Sequence, residues 1–235
     1  MADTLTEPAR GHLAMLLFSA LVAGSFSLGA QVANEIAPTA LNALRFALSV
    51  LIIGAVVLAS GGVDRKAFSA PWRYLLLGSI FAVYFVLMFE GLKSAPPVSA
   101  AAVFTLTPII AGGFGWLLLR QITTLRMALA LAIGGIGALW VIFRADLVAL
   151  QAFDVGRGEA IYFVGCIAHA LYTPLSRRLN RGENPFQYTL GILLGGCIVL
   201  FIIAAPELTA VDWSELSPMV WITLGYLSVF ASSAT

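Results

Sequence analysis

Few side chains in this sequence can do chemistry, and most of them fall inside long apolar stretches. Asn42, Arg45 and Ser49 stand at i, i+3 and i+7 and share one face of a helix that Pro38 opens. Arg45 lies seven residues beyond Pro38, which is roughly 10 Å along a helix. A guanidinium at that depth in lipid costs at least a few kcal/mol unless it meets water, a partner or the interface. Two readings are open: a polar wall that binds a carboxylate or phosphate, or an arginine that anchors its helix by snorkelling. Glu90 stands eighteen residues beyond Trp72, about 27 Å along its own helix, at a depth similar to that of Arg45. An Arg45–Glu90 pair is therefore expected, either as a gate that opens and closes or as a structural pair offsetting two burial costs. His169, eleven residues and roughly 16 Å from Gly158, is the titratable side chain expected nearest mid-helix. Its reference pKa of about 6.5 suits a proton relay; a neutral histidine hydrogen-bonded between helices is the alternative. Gly165, His169, Tyr172 and Ser176 can share its face, beside Pro174. Gly24, Ser27 and Gln31 form a stripe on the first apolar stretch, and Tyr84 and Thr105 complete the candidates. Each can hydrogen-bond a solute or a neighbouring helix.

Other chemistry is poorly provided for. Two histidines and no membrane-embedded acid pair leave no catalytic constellation. Cys166 and Cys197 are the only cysteines, too few for a disulfide framework or a metal cluster. There is no Walker motif, and the glycines at 112–115 and 134–137 lie in apolar stretches with no strand before them. Neither a catalytic residue nor a metal nor a cofactor is expected, and the chain does not read as an enzyme.

The elements that must position these residues follow from composition. Of 235 residues, 60% are apolar, and 13 Lys plus Arg stand against 12 Asp plus Glu for a net charge of +1. The charged share is 11%, where a soluble domain carries about 25%, and the mean hydropathy is +0.95. A soluble domain, a disordered chain and a nucleic-acid binder with a basic surface are excluded. A bilayer core of about 30 Å takes roughly 17–25 apolar residues as helix, and the charge-free windows place spans at 12–33, 38–59, 72–92, 97–119, 124–143, 158–179, 185–205 and 218–235. The expected fold is all-α and integral to the membrane, a polytopic bundle of about eight transmembrane helices with the lipid bilayer as its solvent. The first ten residues carry Asp3 and Glu7 against Arg10, which does not read as a signal peptide. With the N-terminus inside, inner loops hold nine cations, among them Arg65, Lys66, Arg120, Arg126, Arg177 and Arg178, and outer loops hold Lys93, Arg144 and Arg157. This bias predicts a cytoplasmic N-terminus in an inner membrane.

An internal repeat is also visible. An offset of 147 residues pairs Gly11 with Gly158, Pro38 with Pro185, Pro71 with Pro218 and Gly78 with Gly225 without a gap. Five spans separate the two starts, and because five is odd the second copy must be inverted. The expected units are 11–157, a complete five-helix repeat, and 158–235, an incomplete second copy that stops after about three helices.

In this order the motifs resemble the EamA branch of the drug/metabolite transporter superfamily. The resemblance runs through Ala23-Gly24-Ser25-Phe26, the Pro38 to Arg45-Phe46 opening of the second span, Phe89-Glu90-Gly91-Leu92-Lys93-Ser94-Ala95, Leu106-Thr107-Pro108 and Gly134-Gly135-Ile136-Gly137. Departures are the turn Leu119-Arg120-Gln121-Ile122-Thr123, which lacks the family's acid, Glu90 in place of an aromatic residue, and eight spans where ten are typical. The resemblance implies a secondary carrier or exporter that moves a small metabolite or drug-like solute by alternating access. Ser27, Gln31, Asn42, Arg45, Tyr84, His169 and Tyr172 are its candidate substrate contacts. A proton is the candidate coupling ion and a homodimer the candidate assembly. An inactive or partner-dependent carrier fragment is one alternative, and a membrane-embedded enzyme acting on lipid is another.

Overall fold

Prolines set the starts of the helices. A proline in the first helical turn gives up an N–H that would have no partner there, and its fixed φ already suits the helix. Pro38, Pro97, Pro185 and Pro218 each open a helix in this way. In a computed structural model that describes residues 7–64, 67 and 69–231, ten α-helices follow in order: α1 (Glu7–Val32), α2 (Pro38–Ala59), α3 (Trp72–Leu92), α4 (Pro97–Phe104), α5 (Thr107–Leu119), α6 (Leu125–Ile142), α7 (Leu147–Ala152), α8 (Arg157–Leu179), α9 (Pro185–Ala210) and α10 (Pro218–Tyr226). A π-helical turn, Leu227–Ala231, continues α10. No strand occurs among the described residues.

The expected polytopic all-α bundle is present, and its spans differ in how apolar they are. Among the described residues six segments are long and apolar enough to cross a bilayer: α1, α2, α3, α4 with α5, α6 and α9. The stretch Pro218–Phe230 is apolar but shorter. With 23 residues, α8 has the length of a span, but Glu159, His169, Arg177 and Arg178 make it too polar to qualify on composition. Packing explains part of this, since α3 and α5 pack against α8 and Glu159 is buried, while Arg177 and Arg178 stay exposed at its end.

Hydrogen bonds sort the helix ends into two groups. At one end Arg178 donates to the Leu118 carbonyl over 3.4 Å, Arg73 to the Leu179 carbonyl over 2.5 Å and Gln187 to the Gly62 carbonyl over 3.0 Å. These contacts gather the ends of α2, α5 and α8 with the starts of α3 and α9. Arg120, Arg126, Arg177, Arg178 and Arg181 lie on the segments that meet there, so this is the basic end. At the other end Asn34 donates to the Lys93 carbonyl over 3.4 Å, and Glu35 accepts from the Ser217 N–H over 3.3 Å. Arg65, Lys66 and the side chain of Arg10 lie outside the described residues.

The tightest crossings are made by glycine. Gly78 of α3 meets the backbone of Gly195 and Gly196 of α9, where an added Cβ would lie 2.8 Å from the Gly195 carbonyl carbon. Gly91 of α3 meets Gly158 of α8 in the same manner, with a Cβ on Gly91 falling 2.7 Å from the Gly158 carbonyl oxygen. Small residues let helix backbones approach this closely, and in lipid that contact is a main source of association.

Two buried carboxylates brace the ends. Glu159, in the first turn of α8, accepts the Ser99 hydroxyl of α4 over 2.8 Å, where the helix dipole favours a negative charge. At the basic end Arg73 and Glu183 form an ion pair of 2.7 Å with side chains 1% and 7% exposed. Burial alone would raise the Glu183 pKa, but hydrogen bonds from the Arg181 backbone and the Arg73 guanidinium outweigh it and hold the carboxyl below its ordinary value. A group depressed in this way stabilises the fold above its unfolded pKa and stops doing so as pH falls through the folded one. Glu183→Gln strands a buried guanidinium, which costs about 3 kcal/mol. A lower melting temperature in detergent is expected at pH 7, with the gap to the parent protein closing below about pH 4. Equal melting at pH 7 would refute this role.

Candidate functional site

The fourth apolar stretch does not form one continuous helix. Pro108 cannot donate to the carbonyl four residues before it, and the chain breaks between α4 and α5 at Thr105 and Leu106. The bonds there tighten to three-residue spacing, Leu106 N–H to the Val103 carbonyl at 3.1 Å and Ile109 N–H to the Leu106 carbonyl at 3.1 Å. The Thr105 hydroxyl turns back onto the Ala102 carbonyl over 2.7 Å. Broken helices inside a membrane are tolerated where they line a cavity, and this one does.

Two chambers meet beside the break. The inner one, about 350 Å³, lies among α1, α3, α4, α8 and α9, and its walls include Ser25, Tyr84, His169, Tyr172 and Thr189. The second, about 770 Å³, lies among α1, α4, α5, α6 and α8 and reaches Leu119, Gln121 and Arg177 at the basic end. Phe18, Val22, Phe26, Phe104 and His169 belong to both, so the chambers share a wall with His169 in it. Together they reach from the middle of the bundle to the basic end. Toward the other end the inner chamber is backed by the Tyr84 and Tyr162 hydroxyls, 3.2 Å apart, and by the Gly91–Gly158 crossing.

Aromatic rings make most of the inner wall. Phe81 stacks on Tyr172 with centroids 4.8 Å apart and planes 19° from parallel. His169 lies 4.5 Å from Tyr84 and 5.6 Å from Phe104. Phe85 packs edge-on to Phe81 at 4.7 Å and carries the Arg45 guanidinium 3.7 Å over its ring. No group of three His, Cys, Asp or Glu that could hold a metal occurs among the described residues.

Of the residues expected from sequence to meet a solute, Tyr84, His169 and Tyr172 line the inner chamber and Thr105 lines the second. His169 is not tied between helices through Nδ1, which has no hydrogen-bond partner among the described residues. Ser27 and Gln31 require correction. Both are exposed, and Gln31 only donates to the Ser27 carbonyl over 3.3 Å. The cavity face of α1 is Phe18, Val22, Ser25 and Phe26, while Gly24 is turned to Tyr226. Asn42 and Arg45 are fully buried and lie outside the walls of either chamber, Asn42 donating to the Pro38 carbonyl over 2.8 Å and Arg45 standing behind Phe85.

The expected Arg45–Glu90 gate is also corrected. Glu90 pairs with Lys93 at 2.7 Å and its side chain is 40% exposed, whereas Arg45 is fully buried. The lysine three residues on is the nearer cation on the same helix face, and it reaches water that Arg45 does not. Sequence reasoning missed Phe81, Phe85 and Phe104. Phe81 stands three residues before the candidate Tyr84 and four before Phe85 on α3, and that spacing was the available signal for those two; Phe104 had none.

Residues 9–143 match the EamA-like transporter family, more than half of the chain. The chain belongs to that family. A protein named "Uncharacterized transporter YyaM" from Bacillus subtilis (strain 168) is 24% identical over 223 residues, which covers 94% of this chain and 73% of that protein. A crystal structure of a protein 21% identical to this one superposes with a TM-score of 0.62, covering 93% of this chain and 74% of the other, and this likeness shows the fold. As an EamA-like protein with several apolar helices, the chain is a multi-pass membrane transporter.

Proposed function

We propose that this protein is a secondary carrier that moves a small organic solute across the inner membrane by alternating access, with its N-terminus in the cytoplasm. The observation that carries the proposal is the two-chambered cavity, open toward the basic end and shut toward the other by Tyr84, Tyr162 and the Gly91–Gly158 crossing. By the positive-inside bias the basic end is cytoplasmic, so the arrangement is an inward-facing one. The inner chamber has the size of a small metabolite site. An inverted repeat is part of the proposal. The 147-residue offset relates Val32 to Leu179 as helix ends and Pro38 to Pro185 as helix starts. It likewise relates the α3–α8 pair to the α1–α10 pair, with α2 packed on its own mate α9. Rocking of one repeat against the other would part the Gly91–Gly158 crossing and open the opposite side.

Accessibility from each side tests this. In a protein whose Cys166 and Cys197 are replaced by alanine, Thr173→Cys should react with a membrane-impermeant maleimide added to inverted vesicles and not with the reagent added to intact cells. Solute and a gradient should then make Ser99→Cys reactive from outside. Labelling of Thr173→Cys equally from both sides would indicate a pore, and labelling from neither would remove the cavity from the path.

A further inference from the structure

We infer that the solute is a planar aromatic anion, its ring stacked in the inner chamber and its negative group directed along α8 toward Arg177. This rests on the carrier reading above and adds the class of substrate. Flat rings wall the inner chamber: Phe81 and Tyr172 stack on each other at 19°, and Tyr84, Phe104 and His169 cluster within 6.1 Å of one another. A planar ring system fills such a chamber with offset or edge contacts on several sides.

Charge decides the rest. Aromatic walls can also hold a cation by their faces, but a desolvated ammonium needs a counter-charge, and no Asp or Glu stands among the described lining residues of either chamber. One face of Phe85, a wall residue, is already engaged by the Arg45 guanidinium at 3.7 Å. Among the described lining residues the one Asp, Glu, Lys or Arg side chain is Arg177. It shares a stripe of α8 with Thr173 and His169 at four-residue spacing, and all three line the second chamber. The stripe is about 12 Å long, so a carboxylate on a short linker, attached to a ring in the inner chamber, points down it toward a guanidinium suited to bidentate contact. An aromatic α-amino acid has the same ring and carboxylate but adds an ammonium for which the lining supplies no partner.

Three ligands that share one ring system separate these terms: indole-3-propionate, tryptophan and tryptamine, titrated calorimetrically into the full chain in nanodiscs of neutral lipid. Indole-3-propionate should bind at least about tenfold more tightly than tryptamine, with tryptophan weaker than indole-3-propionate. Arg177→Gln should bring the ratio of indole-3-propionate to tryptamine near one, Arg177→Lys should keep most of it, and Phe81→Leu should weaken all three alike. Monodispersity and an unchanged melting temperature establish that each variant is folded. Tryptamine binding as tightly as indole-3-propionate, or a ratio unchanged in Arg177→Gln, would overturn the assignment of charge. Failure of all three to bind would overturn the assignment of the ring. Neither result touches the carrier reading if Thr173→Cys is still labelled from the cytoplasmic side alone.

Discussion

Gly78→Val should leave almost no folded protein to purify. A Cβ at Gly78 would fall 2.8 Å from the Gly195 carbonyl carbon and closer still to the Gly196 nitrogen and the Ile192 oxygen. Those atoms are backbone and have no rotamer to adopt, so α3 and α9 would have to separate along their crossing. The separation would be felt beyond the glycines, because Tyr74 packs against Gly191 and Phe46 against Gly196 at the same seam. Overpacking usually costs about 1–3 kcal/mol and occasionally more, and a two-methyl branch aimed at backbone belongs at the upper end. That is a large part of the ~5–15 kcal/mol that holds a typical protein folded. Gly225, which the 147-residue offset pairs with Gly78, has nothing within 4 Å of its own Cβ position, so Gly225→Ala should be neutral. Fluorescence-detected size exclusion reads both variants. A monodisperse Gly78→Val protein with the parent melting temperature would show that the crossing is not what holds α3 to α9.

Thr173→Trp should abolish transport while leaving the fold intact. Thr173 is exposed on the wall of the second chamber, between His169 and Arg177, with its hydroxyl turned back to the His169 carbonyl over 3.2 Å. An indole there projects into a space of about 770 Å³ and not into packed side chains, so it obstructs the passage without straining the core. Uptake into proteoliposomes should fall to less than about a tenth of the parent rate, and Thr173→Ser should retain it. Full uptake by a folded Thr173→Trp protein would place the solute path elsewhere. The two substitutions therefore separate what builds the bundle from what passes through it.

Much of the bundle was legible in the sequence because the rules involved are local. An apolar run of sufficient length must satisfy its own backbone in lipid, and a proline in the first turn marks where it begins. The starts at Pro38, Pro97, Pro185 and Pro218 agree with the structure, and the end of α3 at Leu92 was expected at that residue. Where neighbours decide, sequence reasoning did less well. It treated α8 as one more apolar span, although Glu159 is buried there against Ser99 of α4 and Arg177 and Arg178 stand exposed at its far end. It ran a single helix through Thr105 and Leu106, where Pro108 and the adjoining cavity favour a break.

The candidate site divides along the same line. A polar side chain inside an apolar helix is costly unless it faces protein or water, and this rule singled out Tyr84, His169, Tyr172 and Thr105, which line the two chambers. It could not say which face of α1 turns inward, and Ser27 and Gln31 point outward while Ser25 and Phe26 line the chamber. A phenylalanine in such a helix carries no comparable signal, because it is equally at home against lipid and against a cavity. Phe81, Phe85 and Phe104 therefore entered only with the packing. By itself the sequence determined the apolar spans, the prolines that start four of the helices and the membrane setting, since those depend on hydrogen bonding and apolar area within single segments. Tertiary structure alone decided which glycine admits a neighbour, which carboxylate answers Arg73 and which faces enclose the cavity, because each of these is a distance between atoms far apart in the chain.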